Sequence, residues 1–274
     1  RIANPDRFVL MFAPITRSYS RSLQPVARDV VEALPPYTRN HLQFPKSVEE
    51  NVAFLRAWET AFRGDSFDFD YHMMWDHYND PGHCRAAAVL HEDVRQLAAI
   101  GLNGLVSCQT QRAAFPTGLM LCAMAQALWD PAVRFSTVEE DHFRSAFGPD
   151  WQKARSYLSE LSELFDPEYV RGDRPSATQA SANVRCDRQP GFGSIPDVIA
   201  DFRPGIQQNM NLDQPVWAAS WRYLNHHADI CVPLARAYAA REMGDGEEAQ
   251  RMWKAAEALA WEREPEIGNV LDVY

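Results

Sequence analysis

A chain of 274 residues, 46% hydrophobic, is long enough to bury a substantial core in one large or two ordinary domains, and no apolar run approaches the roughly 20 residues a membrane-spanning helix needs. A formal charge of −10, from 27 Lys and Arg against 37 Asp and Glu, without any basic stripe, excludes a sequence-independent hold on nucleic acid and disfavours an acidic membrane surface. Five widely spaced cysteines, Cys84, Cys108, Cys122, Cys186 and Cys231, never in a CxxC pair, signal neither a disulfide framework nor a zinc finger and read as buried free thiols.

The chain opens on Arg1, without a charged-then-apolar leader and almost directly on a strand, which reads as an internal start. "RFVLMFAPI" (7–15) is a short apolar run closed by Pro. After a polar, Pro-rich loop, "SVEENVAFLRAWETAF" (47–62) has Ser at an N-cap, Glu at the capping-box position and apolar residues at helical spacing. "SFDFDYHMMW" (66–75) alternates as a strand does, "RAAAVLHEDVRQLAAIG" (85–101) is an amphipathic helix closed by Gly, and "LNGLVSCQ" (102–109) is a third strand. "TGLMLCAMAQALW" (117–129) supplies the helix that follows it. Three successive strand–loop–helix units predict parallel strands joined by right-handed crossovers.

Beyond Trp129 the pattern turns helical. A stretch over 137–166 is broken at Gly-Pro, and two long amphipathic helices cover 216–245 and 246–264. Between them, residues 171–214 are rich in Pro, Gly, Ser and Asn and are expected to form a long loop with at most short helices.

In a parallel sheet the loops leaving the strands' C-terminal ends gather on one side, where ligands bind in barrels and open α/β sheets alike. Here those loops, "APITRSYSR", "YHMMWDHYNDPGH" and "SCQTQRAAFPT", are long and dense in polar and aromatic groups, whereas the returning connections "RGD" and "GLNG" are short. This asymmetry points to a site.

Glycoside cleavage usually needs two carboxyl groups, unless a substrate acetamide supplies the nucleophile. Asp70, Asp76 and Asp80 lie at or after the second strand's end. Alternation puts Asp68, Asp70 and His72 on one side of that strand and Phe67, Phe69 and Tyr71 on the other. Two readings stay open: some of Asp70, Tyr71, His72, Asp76 and His77 line a sugar pocket with aromatic stacking surfaces, or they form a satisfied polar network at the rim. His72, Asp76, His77, His83, Cys84 and His91 crowd together but match no zinc signature, so no metal site is expected, and nothing calls for a cofactor. The His226–His227 pair reads as core or surface, and Cys108 as a strand thiol with no base beside it. Gln109 and Gln111 suit recognition of a hydroxyl or acetamide. Arg17 and Arg112 either pair with acids across the rim or bind an anionic group.

At "FDYHMMWDHYNDPG", "GLNGLVSCQTQRAAFPTGL", "AQALWDP" and "MFAPITRSY" the sequence resembles a bacterial carbohydrate-active family, domain of unknown function 4838, some of whose members are classified as glycoside hydrolase family 163. The resemblance covers most of residues 8–170. It implies the last three strand–helix units of a (β/α)8 TIM-type barrel over 1–130, followed by a mostly helical domain over 131–274. It further implies an endo-β-N-acetylglucosaminidase working by substrate-assisted retention, with the acid/base carboxylate in the part of the barrel upstream of Arg1. On that reading Tyr71 and His72 contact the sugar or its acetamide, Asp76 and His77 order the loop or bind hydroxyls, and Arg17, Asp70, Gln109 and Gln111 complete an oligosaccharide-binding rim. The alternatives are a noncatalytic carbohydrate-binding protein on the same scaffold and another barrel hydrolase or lyase acting on acidic sugars. Oligomeric state and compartment stay open.

Overall fold

Three short strands, β1 (Leu10–Phe12), β2 (Ser66–Asp70) and β3 (Leu105–Ser107), lie parallel in sequence order. Leu10 pairs with Ser66, Phe12 with Asp68, and Asp70 with Ser107. The computed structural model describes residues 4–36, 38–41, 43–173 and 191–272. Between β1 and β2 run a short helix α1 (Arg28–Glu32), which buries nothing, and α2 (Val48–Glu59). Ser47 and Glu50 close the capping box on α2: the Ser hydroxyl accepts from Glu50 N at 3.0 Å while the Glu carboxylate accepts from Ser47 N at 3.4 Å. α3 (Cys84–Gln96) and a 3-10 turn ending at Gly101 (φ 87°) lead into β3, and α4 (Leu119–Trp129) follows it.

The alternation of β2 is inverted relative to an ordinary half-buried strand. Ser66, Asp68 and Asp70 are buried, and they share their side of the sheet with Leu10, Phe12 and Leu105, which pack against the main core. The other side carries Phe67 and Phe69 with their register partners Met11 and Val106, the latter two 52% and 47% exposed. The sheet thus turns acids inward and apolar side chains outward.

Six further helices among the described residues complete the order: α5 (Phe135–Phe147), α6 (Trp151–Phe165), α7 (Pro167–Arg171), α8 (Ile195–Asn209), α9 (Pro215–Glu242) and α10 (Gly246–Ile267) follow α4, the Gly-Pro break lying between α5 and α6. One hydrophobic cluster runs from Leu23, Val52 and Leu90 through Leu119 and Phe147 to Trp221 and Ala235, so it crosses the 130/131 boundary without a gap. No helix among the described residues is long and apolar enough to cross a membrane.

The long loop expected over 171–214 is corrected at its far end by α8. Pro196 sits in the first turn, where its missing N–H is no loss, and Pro204 is carried inside the helix. Ile195, Ile199 and Ile206 sit on the buried face, and this burial overrides the proline signal. The part of the expected loop over 174–190 lies outside the described residues.

Candidate functional site

The three strand-to-helix loops meet at the C-terminal edge of the sheet. Tyr19, after β1, sets its ring edge-on to His72 at 4.7 Å, after β2. Cys108 N donates to Asp70 O at 2.8 Å and Thr110 N to Met73 O at 2.9 Å, joining the loops after β2 and β3. The C-terminal segment then clamps the third loop: Ala114 N donates to Val270 O at 3.0 Å, and Arg112 Nε meets Asp272 Oδ1 at 2.5 Å.

Behind this edge, on the core side, lies a charged network. His72 Nδ1 lies 2.5 Å from Asp70 Oδ1, and its Nε2 lies 3.2 Å from Asp93 Oδ2, close enough for charge attraction without an aligned hydrogen bond. Arg17 forms an ion pair with Asp93, whose other oxygen accepts from Leu23 N at 2.5 Å. Arg17, Asp68, Asp70, His72 and Asp93 are all buried. Their environments divide the carboxylates. Burial, reinforced by the neighbouring Asp70 charge, pushes Asp68 well above the usual carboxylate range. Burial acts in the same direction on Asp70, but the charge and hydrogen bond of His72 outweigh it and hold that carboxyl below its ordinary value. Burial disfavours the Arg17 cation, yet Asp93 more than compensates, and the guanidinium is held charged.

A second set of contacts pins the middle of the β2–α3 loop. Asp76 forms an ion pair with Arg171 of α7, and Arg171 also donates to Arg17 O at 2.7 Å. The guanidinium carbons of Arg17 and Arg171 lie 4.2 and 5.1 Å from the centroid of the Tyr19 ring. Asp80 accepts from Ser162 Oγ at 2.6 Å and from Ala86 N at 2.8 Å. Tyr19, His72, Asp76, Asp80 and Arg171 line a cavity of about 20 Å³, room for one water and too small for a sugar.

The opposite side of the edge is different. Phe69 and Tyr71 meet edge to face at 5.3 Å, and Tyr71 stacks on Trp75 with centroids 5.6 Å apart and planes 22° from parallel. Tyr71 is half-buried, and Trp75 is 37% exposed. Partial burial, with smaller contributions from Cys108 and Asp68, raises the Tyr71 hydroxyl, which therefore stays protonated at neutral pH. Gln109, whose Oε1 accepts from Ser107 Oγ at 3.3 Å, and Gln111 are exposed nearby on the third loop.

Of the eight residues expected to contact a saccharide, Arg17, Asp70, His72, Asp76 and His77 are buried, four of them in the ion-pair contacts just described. The His77 ring packs on Tyr78 at 3.9 Å, and burial depresses it to about 4. Tyr71, Gln109 and Gln111 remain open to solvent. Arg112 has the acid partner that the sequence offered as one reading, in Asp272. Three contributors were missed. Trp75 falls on the side of Tyr71 if the alternation expected over 66–75 is carried through, but β2 ends at Asp70 and it is the loop beyond it that stacks the two rings. Arg171 is distant in sequence. Asp93 carried a readable signal: it sits among Leu90, His91 and Val94 on the buried face of α3, where an acid needs a partner.

Among the described residues no group of three His, Cys, Asp or Glu side chains is arranged to hold a metal ion. The accessible side of the rim thus offers an aromatic surface and two amides, while Asp68, Asp70, Asp76 and Asp80 are all turned into the protein. Comparison with protein-family models, with curated proteins and with solved structures finds no match to this chain.

Proposed function

We propose that the rim formed by Tyr71, Trp75, Gln109 and Gln111 binds carbohydrate, and that the chain is the C-terminal portion of a glycoside hydrolase barrel acting on N-acetylglucosamine-containing glycans by substrate-assisted retention. The observation that carries the reading is the stacked, solvent-reaching Tyr71–Trp75 pair at the C-terminal edge of a parallel sheet. Flat aromatic rings pack against the apolar faces of sugar rings, and side-chain amides suit hydroxyl and acetamide groups. Further strands beside β1 and β3 would cover the outward apolar side chains Met11, Phe67 and Val106 and pair the sheet's open edges.

On this reading the proton for the leaving oxygen comes from a carboxylic acid outside the chain, because the four aspartates nearest the rim are buried away from the aromatic side. That same burial favours one second reading, a noncatalytic carbohydrate-binding protein. Titration with a complex-type N-glycan and with chitobiose, followed by calorimetry, tests the shared core of both. Binding that weakens at least tenfold in Tyr71→Ala and Trp75→Ala with little change in melting temperature supports it. Equal affinity in wild type and both variants, or no binding by the wild type, overturns it. Hydrolysis of aryl β-N-acetylglucosaminide by the chain alone would refute an external acid.

A further inference from the structure

Three histidines from separate elements meet behind the rim. His77 lies in the 3-10 turn Asp76–Asn79, His83 at the N-cap of α3 and His227 in the middle of α9; they are 1%, 2% and 4% exposed. The His77 and His83 rings stand edge to face at 5.9 Å, and His83 lies within electrostatic reach of His227. Among the described residues, both ring nitrogens of His77, Nδ1 of His83 and Nδ1 of His227 have no hydrogen-bond partner. His83 also holds φ 60°, a left-handed conformation that a residue with a Cβ adopts at a cost.

The surroundings offer little to stabilise a proton. His77 faces Tyr78, the His72 carbonyl and, from the C-terminal segment, Asp272, which is already engaged by Arg112. His83 faces the other two histidines and the Thr117 carbonyl. His227 faces the Pro81 carbonyl, the Phe115 ring and, on its own helix, Cys231, whose Sγ is 3.2 Å from Nε2. A charge placed on any one ring is thus desolvated, and a second repels the first.

We propose that the His77–His83–His227 cluster is an acid-operated catch that holds the loop carrying Trp75 closed at neutral pH and frees it on acidification. The effect on a bound sugar rests on the carbohydrate reading above; the movement of the loop does not. The direction follows from linkage. Burial lowers His77 and His227 from 6.5 to about 4, and burial together with the neighbouring His77 and His227 holds His83 well below 6.5. Each ring therefore takes up its proton more readily in the open loop, so the closed form is fully favoured above pH 6.5 and loses ground as pH falls toward 4. At pH 5 a ring at about 4 when closed and near 6.5 when open shifts the opening equilibrium about 30-fold.

Hydrogen exchange of the whole chain at pH 7 and pH 5, corrected for the intrinsic pH dependence of exchange, tests this. Because the open ring is already partly protonated at pH 7, the expected result between the two pH values is a loss of protection of about 20-fold or more in the backbone amides of 72–83, with the amides of α5 and α6 unchanged. His77→Phe should reduce that pH response; His227→Met provides the same readout if the first variant does not fold. Equal loss across the whole molecule, unchanged protection of 72–83 at pH 5, or an undiminished response in a folded variant would overturn the proposal. A loop that opens in a chain that binds no chitobiose at either pH would leave the catch standing and remove only the carbohydrate reading.

Discussion

His72 donates through Nδ1 to Asp70 Oδ1 across 2.5 Å, two residues apart at the end of β2 and with both side chains withdrawn from water. The donor is the histidine because Asp70 is the acid held ionised, and an ionised carboxylate can only accept. The pair faces Asp93 and Arg17 rather than solvent, so this end of the strand is a structural joint between the first loop, the sheet and α3.

Removing one member of that joint should cost far more than a surface ion pair. Arg17→Met leaves Asp93 and the His72–Asp70 pair without their buried cation, and a loss of about 3–5 kcal/mol is expected, read as a drop in denaturant midpoint at unchanged slope. A loss under about 1 kcal/mol would place the pair in contact with water.

Asp68 and Asp70, neighbours on the same side of β2, should respond to neutralisation with opposite signs. The folded-state pKa of Asp68 is raised, so its contribution to stability is present below 3.8 and lost as pH rises through the folded value. Asp68→Asn removes that loss, and the variant should be more stable than wild type at pH 7, with the gap closing toward pH 4. Asp70 is depressed, so its contribution is present above 3.8 and lost as pH falls through the folded value. Asp70→Asn should therefore destabilise at pH 7 and progressively less in acid. Thermal melts of both variants from pH 2 to pH 8, which span the window below 3.8 where the Asp70 contribution is lost, decide the signs.

Gly82 has no room for a methyl group. A Cβ there would collide with Leu158 O and lie 2.6 Å from Ser162 N, both backbone atoms of α6, whereas one on Gly104 would meet no atom of the described residues within 4 Å. Gly82→Ala should cost at least the ~1–3 kcal/mol typical of overpacking, and Gly104→Ala should be close to neutral. Chemical denaturation of the two variants side by side measures the contrast.

Cys84 and Cys231 are buried, and burial pushes both thiols up, Asp80 and Glu139 adding to the effect at Cys84. Neither should react with a disulfide reagent at pH 8 until the protein unfolds, while half-buried Cys108 and Cys122 label in the native state. Mass spectrometry of the labelled peptides before and after denaturation distinguishes the two groups.

The sequence by itself determined what depends on neighbours along the chain. Period-two alternation located β2 and separated Asp68, Asp70 and His72 from Phe67, Phe69 and Tyr71; Ser47 and Glu50 marked the start of α2; Gly101 marked the end of the turn after α3. These are local effects of side-chain direction, capping and backbone freedom, and they need no distant partner. Tertiary structure decided which side of β2 faces the core. Alternation cannot tell inside from outside, and here the inward side carries the acids because Arg17 and His72 meet them there. It also moved Arg17, Asp70, His72, Asp76 and His77 from candidate ligand contacts to buried positions, through Asp93, Arg171 and His83, residues that the chain's path alone brings near. The helix over 195–209 was decided the same way: a proline-rich local signal yielded to the burial of Ile195, Ile199 and Ile206 against helices that only the fold supplies.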